Sequence, residues 1–327
     1  MHHMHGFCQM SMHRIMKMNT ETLILKSRYD GLDISVLMTC PESEPEAVLQ
    51  ISHGMRGCKE RFLPFMQYMS EHGVACVAND HRGHGMSVRN EEDRGYMYAG
   101  GSAALVDDMK KVTDWIHGRF PTVPVYLLGH SMGSLAARTY IKTRDDDISG
   151  LIVCGSPSGG AMASSGWLLS RLLCTINGGR IRVEGIQNIV SWNYNRKFAS
   201  EGPEAWTCSD PEPRKAFAEN PKCRFSFTAN AMHALMSMLR ETYSSKGWTV
   251  SNPSMPVYFI SGADDPCMRN ERSFHSSVQH MADLGYTDVT SVLYSGMRHE
   301  VLNEIGKEMV WNDVLEHIRT WSDEKTA

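Results

Sequence analysis

The chain has 327 residues, with 33 Lys+Arg against 37 Asp+Glu and a formal net charge of −4. That length fits one large domain, or one domain carrying a sizeable insertion, and the balanced charge with no basic block argues against nucleic acid as a partner. Nine cysteines stand singly, with no C-x-x-C pair and an odd total, which suits a cytoplasmic protein with reduced thiols rather than a disulfide framework or a structural zinc site.

Residues 1–18 lack the continuous apolar core of a signal peptide. Their Met and His side chains are copper- or zinc-type ligands, yet nothing around them reads as structured. They are taken as a leader or cloning extension, with folded sequence from Asn19. Thr22–Lys26 and Leu32–Thr39 read as a strand pair around Tyr29-Asp30-Gly31. After a polar loop over Pro41–Pro45, Ala47–Ser52 is a short apolar strand ending at His53-Gly54. Phe62, Phe65, Met66 and Met69 have helical spacing within Arg61–His72. Val74–Ala78 is a buried-type strand, followed by the glycine-rich loop Asp80–Gly85. Leu105, Met109, Val112 and Ile116 mark one face of a helix over Leu105–Phe120. Val125–Leu128 reads as a strand, Ser134 to about Lys142 as a helix, and Gly150–Cys154 as a further strand. Near-continuous apolar strands alternating with helices indicate a parallel sheet covered on both faces.

The alternation stops after Ser156. From 157 to 253, helix-like stretches at Trp167–Ile176 and Phe227–Leu239 stand among Gly/Asn/Pro-rich loops with no clear strand. It resumes with a strand at Pro256–Ser261, a helix at Glu271–Leu284, a strand at Thr287–Tyr294 and a helix at Val310–Trp321. The expected organisation is a core over 19–156 and 254–327. Residues 157–253 are inserted as a helical lid on the side where the strands end.

Gly129-His130-Ser131-Met132-Gly133 reads G-x-S-x-G between a strand and a helix. A sharp turn in that setting leaves the serine hydroxyl exposed at the top of a sheet. The flanking glycines remove Cβ atoms that would clash there, and the helix start aims free N–H groups at developing negative charge. A serine hydroxyl needs a base to take its proton. Two later strand ends supply candidates: Gly262-Ala263-Asp264-Asp265-Pro266 and Ser295-Gly296-Met297-Arg298-His299-Glu300. His299 is the candidate base. Asp265, with Asp264 as its rival, is the candidate acid that orients the imidazole. An oxyanion hole needs two backbone donors. The amide of Met132 is one, and the loop His53-Gly54-Met55-Arg56-Gly57 offers the other, best at Met55.

These stretches, with Asp80–Gly85 followed by Ser87, resemble the monoacylglycerol lipase and lysophospholipase branch of the α/β-hydrolases, a serine aminopeptidase S33-type domain. The resemblance covers about residues 22–321. It implies an eight-stranded, mostly parallel sheet with a helical cap after the sixth strand. It also implies cleavage of small-molecule esters of long-chain acyl groups without metal or organic cofactor. The family's G-x-x-D pattern points to Asp265 over Asp264. Asp80, Arg82, His84 and Asp107 match positions usual in the family and are read as scaffolding.

The lid is where substrate choice is expected to lie. Trp167, Leu168, Leu169, Leu172 and Leu173 form an apolar patch at near-helical spacing, read first as packing on the core. Trp167, Leu168 and Leu172 join His53 and Gly54 as substrate-binding candidates. The sharper alternative is an acyl tunnel, or a face for transient contact with a membrane or micelle surface. The polar run Glu201–Lys215 departs from a long-chain lipase lid. It keeps open a short-chain carboxylesterase, a thioesterase, or an aminopeptidase using Glu201, Glu204 or Glu212 to hold a substrate amine. Cys267, two residues past Asp265, is read as a buried, inert thiol. A ligand sensor without turnover is disfavoured, because all three triad residue types are present.

Overall fold

The computed structural model describes residues 19–326, so the leader expected at 1–18 lies outside the described residues. Eight strands form one sheet in the order β1-β2-β4-β3-β5-β6-β7-β8. β1 (Asn19–Lys26) and β2 (Asp33–Cys40) make an antiparallel hairpin with Lys26 opposite Asp33. β2 also runs antiparallel to β4 (Val74–Asn79). From β4 through β3 (Ala47–Ser52), β5 (Val125–His130), β6 (Gly150–Cys154), β7 (Val257–Gly262) and β8 (Val289–Tyr294), every pair is parallel. All residues of β3 to β7 are buried, which is why their sequences are continuous apolar runs rather than alternating ones.

Helices cover both faces. α1 (Leu63–Glu71) and α9 (Lys307–Thr326) bury Phe65, Met66, Val310, Val314 and Ile318 against one face. α2 (Gly101–Arg119), α3 (Met132–Ile141) and α8 (Glu271–Asp283) bury Leu105, Met109, Leu135, Phe274 and Met281 against the other. The helix expected from Arg61 starts two residues later. Pro64 favours a helix's first turn, and a 3-10 turn over Lys59–Phe62 precedes it. The fold is therefore the α/β-hydrolase sheet flanked by helices.

Between β6 and β7 lie α4 (Ala161–Cys174), α5 (Glu184–Asn195), α6 (Pro211–Glu219) and α7 (Ala229–Thr242). α7 buries Ala231, Ala234 and Met238 in the core beside α2 and α3. The leucines of α4 do not pack as expected: Leu168, Leu169 and Leu172 are 64%, 48% and 63% exposed, and Leu173 alone of them packs against the core. Among the described residues, no helix is long and apolar enough to cross a membrane.

Candidate active site

Ser131 is half-buried at the turn between β5 and α3, with φ 54° and ψ −120°. That backbone is strained for a residue with a Cβ. The surrounding structure imposes it: Ser131 N–H donates to Cys154 O at 2.9 Å, and Ser131 O accepts the Ser134 amide at 2.9 Å and hydroxyl at 2.6 Å. Glycines at 129 and 133 are required for contact reasons. A Cβ at Gly129 would stand 2.5 Å from Gly133 O, and one at Gly133 would stand 2.7 Å from His53 O. The same closeness brings the loop after β3 to the serine, since a Cβ on Gly54 would be 3.0 Å from Ser131 Cβ. Met132 opens α3, whose positive helix end faces this turn, and Met55 lies on the adjoining loop, half-buried.

Asp265 and His299 come together from the ends of β7 and β8. His299 Nδ1 lies 2.9 Å from Asp265 Oδ2. Asp265 is 2% exposed and also accepts Ser261 Oγ–H at 3.0 Å and the Cys267 amide at 2.8 Å. Its neighbour Asp264 is exposed. Burial would raise the Asp265 carboxyl, but the His299 charge and these hydrogen bonds hold it below the ordinary carboxylate range. Burial would likewise lower His299. Asp265, with the Cys267 sulfur, overturns that and holds the imidazole well above its usual range. Cys267 is buried as expected, but its sulfur lies within 4.8 Å of an Asp265 carboxylate oxygen and of a His299 ring nitrogen.

Two other rings lie close to that of His299. His130 is 4.9 Å away by ring centroid, and Trp206, from the segment between β6 and β7, is 5.1 Å away. Trp206 is fixed by its Nε1–H to Glu204 Oε2 at 2.9 Å and by the Tyr194 ring at 5.0 Å. Arg298 anchors the same segment, donating to Ala205 O at 2.6 Å and Glu201 Oε1 at 2.7 Å, with its guanidinium over the Phe198 ring. Glu300 receives both arms of Arg61 at 2.9 and 2.6 Å. Neither Trp206 nor Arg61 was singled out from the sequence. Each matters through a partner more than ninety positions away, and no local pattern carries such a pairing.

Other candidates fall elsewhere. His53 is 1% exposed, and both ring nitrogens are engaged: Nδ1–H donates to Gly54 O at 2.8 Å and Nε2 accepts the His81 amide at 2.9 Å. Burial pulls its pKa down to about 4, so it is a neutral brace inside the loop. Leu168 and Leu172 stand in solvent. Trp167 lines a cleft of about 540 Å³ with Gly159, Arg240 and Tyr243; none of Ser131, Asp265 or His299 borders it. Asp80 accepts Lys59 Nζ at 2.7 Å and the Lys59 and Met86 amides at 2.8 Å each, a scaffold as expected. Arg82 pairs with the buried Asp108 at 2.8 Å, and Asp107 is half-buried.

The sheet order, the strained serine turn and the Asp–His contact at the strand ends define an α/β-hydrolase. Residues 43–306 match the model of the serine aminopeptidase S33 (Hydrolase_4) family, and the chain belongs to that family. It is 23% identical over 288 residues to a monoacylglycerol lipase of Mycolicibacterium smegmatis, an alignment covering 88% of this chain and 93% of that one. It is 31% identical over 113 residues to the rat (Rattus norvegicus) monoglyceride lipase, where the match spans 35% of this chain and only 36% of the relative. Among solved structures, a thermostable carboxyl esterase from Bacillus coagulans in complex with glycerol superposes with a TM-score of 0.83 at 23% identity, covering 93% of this chain and 99% of that one.

Proposed function

We propose that the protein is a serine hydrolase of carboxylic esters, acting on monoacylglycerol- or lysophospholipid-type substrates. The observation that carries this reading is the 2.9 Å His299–Asp265 contact at the strand ends that also present Ser131. Ser131 attacks the ester carbonyl as His299 takes its proton. Asp265 holds the imidazole in the tautomer with Nδ1–H and stabilises the imidazolium. The amides of Met55 and Met132 receive the oxyanion. His299 then protonates the leaving alcohol, and water repeats the cycle on the acyl-enzyme.

Residues 157–253 act as the cap in this reading, with Trp206 and Tyr194 walling the His299 side. The likeness to monoacylglycerol lipases supports an acyl glycerol substrate. The family's aminopeptidase label raises a second reading, with a cap carboxylate holding a substrate amine. Glu204 and Glu201 are already engaged by Trp206 and Arg298, which favours the ester. Leu168, Leu169, Leu172, Ile189 and Trp192 expose an apolar face on α4 and α5, which supports transient docking on a lipid surface.

The test is a set of initial rates on monoacylglycerols and matched p-nitrophenyl esters from acetyl to stearoyl, with a proline amide as comparator. A maximum at medium or long acyl chains with glycerol esters turned over well supports the lipase reading. A maximum at acetyl with glycerol esters ignored makes it a short-chain carboxylesterase, and preference for the amide makes it an aminopeptidase.

A further inference from the structure

Cys58 and Cys223 are 165 positions apart, yet their sulfurs stand 3.9 Å from each other and both residues are fully buried. Cys58 lies on the loop after β3, three residues beyond Met55. Cys223 lies between α6 and α7, in the segment that carries Trp206. The two loops are wired together around the sulfurs. Arg56 Nε–H donates to Cys223 O at 3.3 Å, Asn220 Nδ2–H to Cys58 Sγ at 3.7 Å, and Lys222 Nζ meets Glu60 Oε1 at 2.6 Å. Arg56 and Arg61 both lie over the Phe217 ring of α6.

We propose that Cys58 and Cys223 are a modification site: a hydroperoxide oxidant joins them in a reversible disulfide that ties the oxyanion-side loop to the cap and slows the enzyme. The two thiols differ in the way such a reaction needs. Cys223 is held below the ordinary thiol range, first by the hydrogen bond from Cys58 and then by the charges of Arg61 and Arg56, against the opposing effects of burial and Glu300. Cys58 is pushed up, by that same hydrogen bond, by burial, and by Asp80 and Glu60. Burial simply raises Cys76, Cys154 and Cys208.

The Cys223 thiolate attacks one peroxide oxygen. An S–O bond forms, the O–O bond breaks, and the departing hydroxide takes a proton to become water. Cys58 then attacks the sulfenic sulfur; the S–S bond forms, the S–O bond breaks, and the thiol proton leaves with the second water. Two thiols lose two electrons and the peroxide gains them. A disulfide spans ~2.05 Å between sulfurs, so the two sulfurs must approach by about 2 Å, through side-chain rotation and movement of the loops that carry them. That draws on the stretch bearing Met55, and ~1 Å of misplacement in a site costs about 100-fold in rate. The rate effect rests on the esterase reading above; the cross-link does not.

The experiment treats the reduced full chain with hydrogen peroxide, then measures non-reducing peptide mass and p-nitrophenyl butyrate hydrolysis. The expected result is a Cys58–Cys223 peptide lighter by two hydrogens, a rate lowered by ~10- to 100-fold, and recovery of both with dithiothreitol. Cys223→Ser and Cys58→Ser should each keep their rate under peroxide; Cys223→Ala serves if either serine variant fails to fold. Absence of the cross-linked peptide overturns the site. A cross-link without a change in rate, or the same loss in Cys223→Ser, overturns the control it is said to exert.

Discussion

Gly133→Ala isolates the contact on which the serine turn depends. The added Cβ would stand 2.5 Å from the Ser52 carbonyl carbon, 2.7 Å from His53 O and closer still to Ser52 O. Ordinary contacts begin at 3.4 Å, so relieving the Ser52 carbonyl carbon alone takes a retreat of about 0.9 Å of the end of β3 from the start of α3, and Ser52 O demands more. Both partners are backbone, at the end of a central parallel strand and the start of the loop after it, so no side chain can swing away. Overpacking of this kind costs ~1–3 kcal/mol, and with two backbones involved the upper figure applies. At ~2.1 cal/mol/K per residue of unfolding entropy, that lowers Tm by about 4–5 °C for a chain of this length. The retreat also carries His53, Gly54 and Met55 away from Ser131, so esterase kcat/KM should fall about 100-fold. Thermal unfolding and p-nitrophenyl butyrate kinetics read the two effects. Gly118→Ala, inside α2 with nothing within 4 Å of the new Cβ, is the control and should gain ~0.5–1 kcal/mol. Wild-type stability and rate in Gly133→Ala would refute the claim that this contact sets the serine turn.

Three further outcomes follow. His299 accepts a proton only when neutral and its pKa is raised, so the rate should fall with falling pH along an acid limb placed above the ordinary ~6.5 of imidazole. Asp265→Asn should move that limb down and cut kcat by ~10⁴, and a pH–rate profile of both proteins reads it. Burial would raise the Glu300 carboxyl, but the Arg61 fork brings it down to about 2 from an unfolded value near 4.5. The pair thus contributes ~3 kcal/mol above the unfolded pKa, lost as pH falls toward about 2. Urea unfolding of Glu300→Gln should show that deficit near neutrality and a narrowing gap in acid; a constant gap would contradict it. Ile189→Ser with Trp192→Ser should weaken binding to phosphatidylcholine vesicles by at least ~10-fold and leave hydrolysis of a soluble short ester unchanged. Equal vesicle binding in sedimentation would remove the docking face.

How much of this was legible in sequence depended on the range of each signal. β3 to β7 are buried on both sides, so their apolar runs stood out, and the serine motif sat where strand and helix meet. His299 and Asp265 could be named because both follow strands and their order is that of the family. α5 and α6 gave no such signal. α6 buries none of its residues, and α5 exposes Ile189 and Trp192 rather than a core-facing stripe. The same cause misdirected Leu168 and Leu172, since an apolar pattern says that a face is apolar and not what covers it. Trp206 against His299, Arg61 with Glu300, and Cys58 beside Cys223 join distant positions, and only the folded chain brings them together.

The most direct test of the central claim is covalent labelling of Ser131. A fluorophosphonate probe should attach at Ser131 in the wild-type protein, in step with loss of ester hydrolysis. Ser131→Ala should take up no probe and hydrolyse no faster than the uncatalysed background, with an unchanged circular dichroism spectrum and Tm. Probe found on another residue, or turnover persisting in a clean Ser131→Ala preparation, would contradict the account.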